Sequence, residues 1–450
     1  MAPKDSFWKK LTPLVFPIAF QQLMSALVST SDTLMLGLID QSSLSAVSLA
    51  TQITFVVSLF MFGLTGAGSL LAAQYWGKGS REDVEQVFAI MLRPMTVVGG
   101  VFTLAAFFVP RLLMRIFTPD PVLIDLGAGY LRAVALSYVL MCITQSYLCI
   151  MRNSGKATTA TAISSTGVVL NIILNGILIF GLLGFPKLGA VGAALATTIT
   201  RVVELVWVLA ETARPGRIKL RRQYLFHKCL LESDFWKHGT ILVANNVVWG
   251  VGITMGSVIL GRLGSDAVAA NSIAMTMKNL VNCFCMGLAS GGAILVGNEL
   301  GADQLDTAKR YGGKVVRLAL ISGTITAVFL ISMTPVILRV AELTPQSQEY
   351  LRWMIVVAAA NMVGMSHNSA TISGIFASGG DTRFGFICDI ITLWAVVVPI
   401  SLAAAFWLKL PVPVVYLLIN MDEWVKFPAV RVNFRKYKWV RDLTRTEENI

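Results

Sequence analysis

The chain has 450 residues, 55% of them hydrophobic and only 14% charged, with a mean hydropathy of +0.69. A protein of this size in water has no means of hiding so much apolar surface, so a soluble domain is excluded and the bilayer is the solvent. The net charge of +12 raises the question of a nucleic-acid partner, but its placement in the chain answers it differently, as set out below.

A helix needs roughly 20 apolar residues to cross a bilayer core of about 30 Å. In chain order, runs of that kind occupy Leu11–Leu38, Ala46–Tyr75, Val84–Val109, Leu123–Met151, Thr158–Phe180 and Leu188–Thr212, then Phe235–Leu260, Ala267–Val296, Thr307–Met333, Tyr350–Phe376, Phe384–Leu408 and Val412–Val430. These twelve spans predict an all-α integral membrane protein. They divide it into a six-helix half (1–212), a basic linker (213–234), a second six-helix half (235–430) and a basic tail (431–450).

The halves are related. Residues 31–77 and 255–301 align without a gap, and twelve of the forty-seven positions are identical, among them Gly63/Gly287, Leu64/Leu288, Gly68/Gly292, Leu71/Leu295 and Gly77/Gly301. A half with an even number of crossings begins and ends on one side, so its copy inserts in the same orientation. The expected architecture is two parallel repeats about a pseudo-two-fold axis along the membrane normal.

Basic residues crowd the side shared by both ends of the chain. They include Lys4, Lys9, Lys10, Lys78, Arg81, Arg152 and Lys156, the linker residues Arg214 to Lys228, and Arg431, Arg435, Lys436, Lys438, Arg441 and Arg445. The opposite side has only Arg111, Arg115, Lys187, Arg262, Arg339 and Lys409, so the positive-inside rule places both termini in the cytoplasm. The basic run 218–228 is then a loop joining two membrane halves rather than a nucleic-acid surface. The first apolar stretch is too long for a signal-peptide core and lacks a cleavage site, and is expected to be span one. The six cysteines show no paired spacing for disulfides, and Cys283 and Cys285 point away from each other on a helix, which suits packing rather than metal binding.

Polar residues inside the spans carry the functional information, because a carboxylate at bilayer depth costs at least about 2.5 kcal/mol and needs a partner, a wet cavity or a proton. Asp32 lies near the outer end of span one. Asn171 and Asn175 lie one turn apart on span five, and Thr197 and Thr198 enter at a similar depth on span six. Hydrogen-bond glue between helices is the plain alternative, but glue has no need of an ionisable group. In the second half, Asp389 lies just inside span eleven, His367 and Asn368 on span ten, and Lys278 in the middle of span eight. Function and structure are both open for that group. Arg201 and Glu204 read as a structural ion pair on one face. Pro17 interrupts the hydrogen bonding of span one and invites a hinge on the helix that carries Asp32.

With these residues in place, the chain resembles the multidrug and toxic compound extrusion (MATE) family, within a superfamily that also holds lipid-linked oligosaccharide flippases. The resemblance runs over essentially the whole length. It is carried by the spacing from Pro17 to Asp32, by SDTLMLGLI in span one and NIILNGILIFG in span five, by GAVGAALATTITR in span six and SGGDTRFGF before span eleven, and by the closing YLLINMDEWVKFPAVRVNFRKYKWVRDLT. It implies export of cationic amphipathic compounds by alternating access, driven by inward movement of protons or sodium ions. Two departures stand out. Asn175 occupies a position that is an aspartate in some relatives, and span seven carries Asn245, Asn246 and Trp249 but no carboxylate between Thr240 and Leu263.

The expected coupling site is therefore Asp32 with Asn171, Asn175 and Thr197, favouring H⁺. The same four residues would be the ligands if Na⁺ were the ion. Asp389, His367, Asn368 and Lys278 form the expected substrate or polar cluster of the second half. No cofactor beyond the coupling ion, no nucleic acid and a monomeric state in a bacterial inner membrane complete the expectation. Two alternatives remain. A flippase for a lipid-linked headgroup needs more intramembrane positive charge than Lys278 provides, and an integral membrane enzyme needs clustered catalytic residues. Neither a Walker motif nor a nucleophile elbow is present to suggest ATP-driven transport or hydrolysis.

Overall fold

The computed structural model describes residues 6–226, 231–340 and 343–444, the side chains of Ser29, Thr33, Leu34 and Val340 excepted. Lys4, His227, Lys228, Cys229 and Arg445 lie outside the described residues. Twelve membrane helices follow one another, and no strand occurs among the described residues. In the first half they are α1 (Ser6–Gly37), α2 (Gln41–Lys78), α3 (Arg81–Phe108), α4 (Pro121–Asn153), α5 (Ala157–Phe180) and α6 (Gly189–Thr212). In the second half α7 (Glu232–Gly261), α8 (Ser265–Gly301) and α9 (Leu305–Val340) lead to α10 (Pro345–Asn368), which runs on as the wider π-helix Ser369–Phe376. The eleventh crossing is α11 (Thr382–Trp407). The twelfth is made of two pieces, α12 (Val412–Ile419) and α13 (Asp422–Arg435).

Ten of these are long and apolar enough to cross a bilayer on length and composition alone. The tenth and twelfth crossings are not, and the reason is chemical. α10 carries Asn361, His367 and Asn368, and the twelfth crossing breaks at Asn420 and Met421 before a run that includes Asp422, Glu423 and Lys426. Asn361, His367, Asn368, Glu423 and Lys426 thus stand where the membrane signal is weakest, while Lys278 and Asp389 lie in strongly apolar spans.

Helix ends follow local chemistry. Ser80 and Asp120 accept main-chain hydrogen bonds at the starts of α3 and α4, and Thr344 does so at the start of α10, with Pro121 and Pro345 at the first helical positions. Asp266, in the first turn of α8, accepts hydrogen bonds from the hydroxyls of Thr344 (2.6 Å) and Ser347 (2.7 Å), which join the starts of α8 and α10. α5 stops at Gly181, which takes the left-handed conformation (φ 74°) that a side chain would resist.

Two compact units emerge. One comprises residues 23–72 and 80–239, the other residues 6–22, 73–79 and 240–444. Helix α1 is therefore shared between them, its first part belonging to the second unit and its remainder to the first. In the first unit, α3 packs along α4, and α6 packs along both α4 and α5. The linker is tied to it as well: Arg221 pairs with Glu85 at 2.6 Å, and Arg214 and Arg217 both pair with Glu211. In the second unit, α8, α9 and α10 pack against each other, with Ala267, Ala270 and Ala274 of α8 meeting Ala358 and Ala359 of α10 in one buried cluster. Small residues let the backbones approach where no hydrophobic effect between helices drives association. Past α13, Trp439 is fully buried against Gly312 and Gly379.

The duplication is repeated in the packing, contact by contact. In the first unit Gly68 faces Met91, and Gly99 faces Val139 and Cys142. In the second, Gly292 faces Val315, and Gly323 faces Val363 and Ser366, every residue standing 224 positions later. The lipid-facing stripe obeys the same rule: Val97, Val101 and Leu104 are exposed on α3, and Ile321, Ile325 and Val328 are exposed on α9. The fold is two parallel six-helix repeats, as the even number of crossings predicts.

Candidate functional site

The first polar group is built by three helices of the first unit. One turn of α5 brings Asn171 and Asn175 to the same face, both buried. The Asn175 side-chain amide donates to Asp32 Oδ1 on α1 at 2.5 Å and to Asn171 Oδ1 at 3.1 Å. Asn171 in turn donates to Thr197 Oγ1 on α6 at 3.4 Å, and that hydroxyl donates to the carbonyl of Ala193. All four residues expected at one depth are joined in a single hydrogen-bonded chain that ends on one carboxyl group. Thr198 is not part of it, since its hydroxyl goes to the carbonyls of Ala133 and Ala194. Tyr130 on α4 is a neighbour that spacing did not reveal; it is buried within electrostatic reach of Asp32. Arg201 and Glu204 pair at 2.7 Å, as their spacing suggests.

The second group is organised by a residue the sequence reading passed over. Lys426 on α13 is buried and sits between three carboxylates, Asp389 at 3.0 Å, Glu423 at 3.2 Å and Asp422 at 3.5 Å. Asp389 therefore makes its ion pair with the twelfth crossing rather than with the base on α10. Asn368 donates to the Glu423 carboxylate (2.8 Å) and carbonyl (2.7 Å), and Asn368 Oδ1 lies 2.9 Å from His367 Nδ1. His367 also packs its ring on Phe427, with centroids 4.4 Å apart. His367 and Asn368 thus reach Asp389 only through Glu423 and Lys426. The signal for Lys426 was visible: Asp422, Glu423 and Lys426 lie within little more than one turn of a membrane span, where isolated charges are not tolerated.

Lys278 on α8 stands apart from that ion cluster. Its ammonium donates to Asn420 Oδ1 at 3.2 Å, while Asn361 on α10 donates to the Asn420 carbonyl at 2.6 Å. Asn420 marks the break in the twelfth crossing, and these bonds satisfy the polar groups that a broken helix exposes inside a membrane. Asn368 and Asp389 each stand immediately before a π-helical stretch, Ser369–Phe376 and Ile390–Val397. Such stretches often mark functional positions, because they re-aim side chains at the cost of weaker backbone bonding. Among the described residues no group of three or more His, Cys, Asp or Glu side chains is arranged to hold a metal ion.

Twelve helices in two parallel repeats, with buried polar groups in both, define a multi-pass transporter rather than an enzyme. The MatE family model matches residues 17–177 and again residues 241–402, and residue 241 stands 224 positions after residue 17. The chain belongs to the MatE family. It is 25% identical over 439 residues to the probable multidrug resistance protein NorM of Bacillus cereus (94% of this chain, 92% of the relative), and 21% identical over 434 residues to the uncharacterized transporter YisQ of Bacillus subtilis (96% and 95%). Its fold matches that of a MOP superfamily transporter from Pyrococcus furiosus with a TM-score of 0.88 at 18% identity, covering 96% of each chain.

Proposed function

We propose that the protein is a multidrug exporter that works by alternating access, exchanging cationic amphipathic compounds for protons. The observation that carries this reading is the hydrogen-bonded chain Asp32, Asn175, Asn171 and Thr197, which holds one ionisable group among neutral partners in a membrane helix bundle. An ion pair would commit Asp32 permanently to one charge state. An amide partner leaves it able to take up and release a proton. With asparagine at residue 175, a sodium ion in the same place would have a single carboxylate to compensate it, so the composition of the group supports protons over sodium. The relatives named as multidrug resistance proteins support the substrate breadth.

The asymmetry of basic residues supports cytoplasmic termini, and the bacterial relatives support an inner-membrane location. Nothing in the reading requires a cofactor or more than one copy of the chain. The test is efflux of a fluorescent organic cation from proteoliposomes under separately imposed gradients. A proton gradient at equal sodium is expected to drive efflux. Efflux driven only by sodium at equal pH would assign the coupling to Na⁺, and no efflux under either gradient would remove the exporter reading.

A further inference from the structure

A cavity of about 180 Å³ lies wholly within the second unit, between α7, α8, α10, α11 and the break in the twelfth crossing. Its walls differ in kind. Gly252, Ile253, Leu393 and Val397 make one side apolar, whereas Lys278, Asn282, Asn361, Asp422 and Glu423 make the other polar. Three lining atoms, Asn282 Oδ1, Asn361 Oδ1 and the Ser401 hydroxyl, are buried without a hydrogen-bond partner among the described residues. Asn361 and Ser401 are exposed by only 2% and 0%. Buried polar atoms are seldom left in this state, and here they gather on one cavity, where water or a ligand can supply the bonds.

The charges have a polarity of their own. Lys278 donates to a neutral amide, Asn420, and makes no direct ion pair among the described residues. Asp422 and Glu423 meanwhile share one ammonium, Lys426, with Asp389, so three carboxylates face a single cation. The polar wall of the cavity thus carries an ammonium bonded directly only to a neutral amide and, within its electrostatic reach, a group of carboxylates that outnumbers its own ammonium three to one. A plain organic cation matches the carboxylates and is repelled by the Lys278 ammonium. An anion has the reverse fault.

We infer that this cavity binds a small zwitterion, a compound carrying an ammonium and a carboxylate on one apolar frame. The ammonium is placed against Asp422 and Glu423, with Asn282 Oδ1 or Asn361 Oδ1 accepting its remaining N–H groups. The carboxylate is held by Lys278, and the frame rests on the apolar wall. This gives the second-half cavity a substrate class of its own beside the organic cations, and as a transport claim it rests on the exporter reading. As a binding claim it does not.

The experiment uses the full chain purified in detergent at pH 7 and isothermal titration calorimetry with two matched trios. These are phenylalanine, phenylalaninamide and 3-phenylpropionate, and the corresponding tryptophan, tryptophanamide and indole-3-propionate. Each trio keeps the frame and changes only the charges. At least one zwitterion is expected to bind ~tenfold or more tightly than its own amide and its own acid, the scale of one charge-assisted hydrogen bond. Lys278→Met is expected to erase the advantage over the amide, and Lys278→Arg to retain most of it. Gly100→Ala, in the other unit and with open space at its Cβ, is expected to leave the preference intact. Amides that bind as well as the zwitterions, or zwitterions that fail to bind up to their solubility, overturn the inference on wild-type protein alone. Loss of zwitterion preference with proton-driven cation efflux preserved removes this inference and spares the exporter reading; the opposite pattern does the reverse.

Discussion

A Cβ atom placed on Gly77 would lie 2.0 Å from the main-chain carbonyl oxygen of Asn298, and one placed on Gly301 would lie 1.8 Å from that of Gln74. The two contacts are images of each other, because Gly301 and Asn298 stand 224 positions after Gly77 and Gln74. Between them Gly297 meets Ala73, another pair related by the same offset. The ends of α2 and α8 therefore cross on the axis of the duplication, and the crossing is close because no side chain intervenes. Gln74 extends the joint by donating to the Ser378 and Arg441 carbonyls and accepting from the Leu443 main-chain N–H.

Substitution at either glycine meets backbone, which has no rotamer to escape into. Gly77→Ala and Gly301→Ala are each expected to destabilise the protein by ~1–3 kcal/mol or more, the range for overpacking a close contact. The reading is a lower melting temperature of the detergent-purified variants. Gly100→Ala, whose Cβ meets nothing within 4 Å, is the control and is expected to melt like wild type. Equal melting of all four proteins would mean that the crossing is looser than these distances describe.

The duplication and its consequences were legible in the sequence because identical residues survive at a fixed offset and because apolar run length is dictated by the bilayer. The first polar group was legible too: Asn171 and Asn175 share a face by helical geometry, and depth from the helix ends aligned them with Asp32 and Thr197. The second group was legible only in part. Charge within a span says that a partner exists but not which one, and the Asp389–Lys426 pair joins residues 37 positions apart on different helices. The break at Asn420 carries no glycine or proline to announce it. The π-helical stretches after Asn368 and Asp389 interrupt spans whose apolar pattern runs on unchanged through them, as in the run IITLWAVV.

Asp32→Asn retains shape and hydrogen-bonding capacity while removing the ionisable group. The variant is expected to insert, purify and melt normally yet to lose gradient-driven efflux down to the level of empty liposomes. Asn175→Ala is a different perturbation, since it strips the one amide that contacts both Asp32 and Asn171. It is expected to cost ~1–3 kcal/mol in stability, measured by thermal melting, because it leaves hydrogen-bonding groups of a buried network unmatched. Wild-type efflux from a well-folded Asp32→Asn protein would take the coupling role away from this residue.

Helix α1 contains two prolines, Pro13 and Pro17, each lacking the N–H that would bond to the preceding turn. The division between the compact units falls on this helix between Gln22 and Leu23, about a turn and a half beyond Pro17. A helix shared by two units bends most cheaply where a backbone bond is already missing. Pro17→Ala is expected to stiffen α1 and to abolish pH-dependent changes in spin-label distances measured along it, with Pro13→Ala having the smaller effect. Identical pH responses in wild type and Pro17→Ala would place the hinge elsewhere.

Lys426 and Asp389 are expected to respond unequally, although they form one ion pair. Among the described residues, Lys426 is the only ammonium within ion-pair distance of Asp389, Asp422 and Glu423. Lys426→Met leaves three carboxylates facing one another in a buried site, and breaking a buried pair in this way costs on the order of 3–5 kcal/mol. Asp389→Asn leaves the ammonium with two carboxylate partners and relieves repulsion among the acids, so its cost is expected to be well below that of Lys426→Met. Adding Asp389→Asn to Lys426→Met is expected to recover part of the lost stability, and the double-mutant cycle measures the coupling between them. Transport separates the two further possibilities for Asp389. If it helps to shape the substrate site, Asp389→Asn changes the relative efflux of different compounds under the same proton gradient while leaving them all gradient-driven. Equal loss for every compound together with loss of coupling would move Asp389 into the coupling machinery. Equal destabilisation by the two single substitutions would show a one-to-one pair in place of the shared ammonium described above.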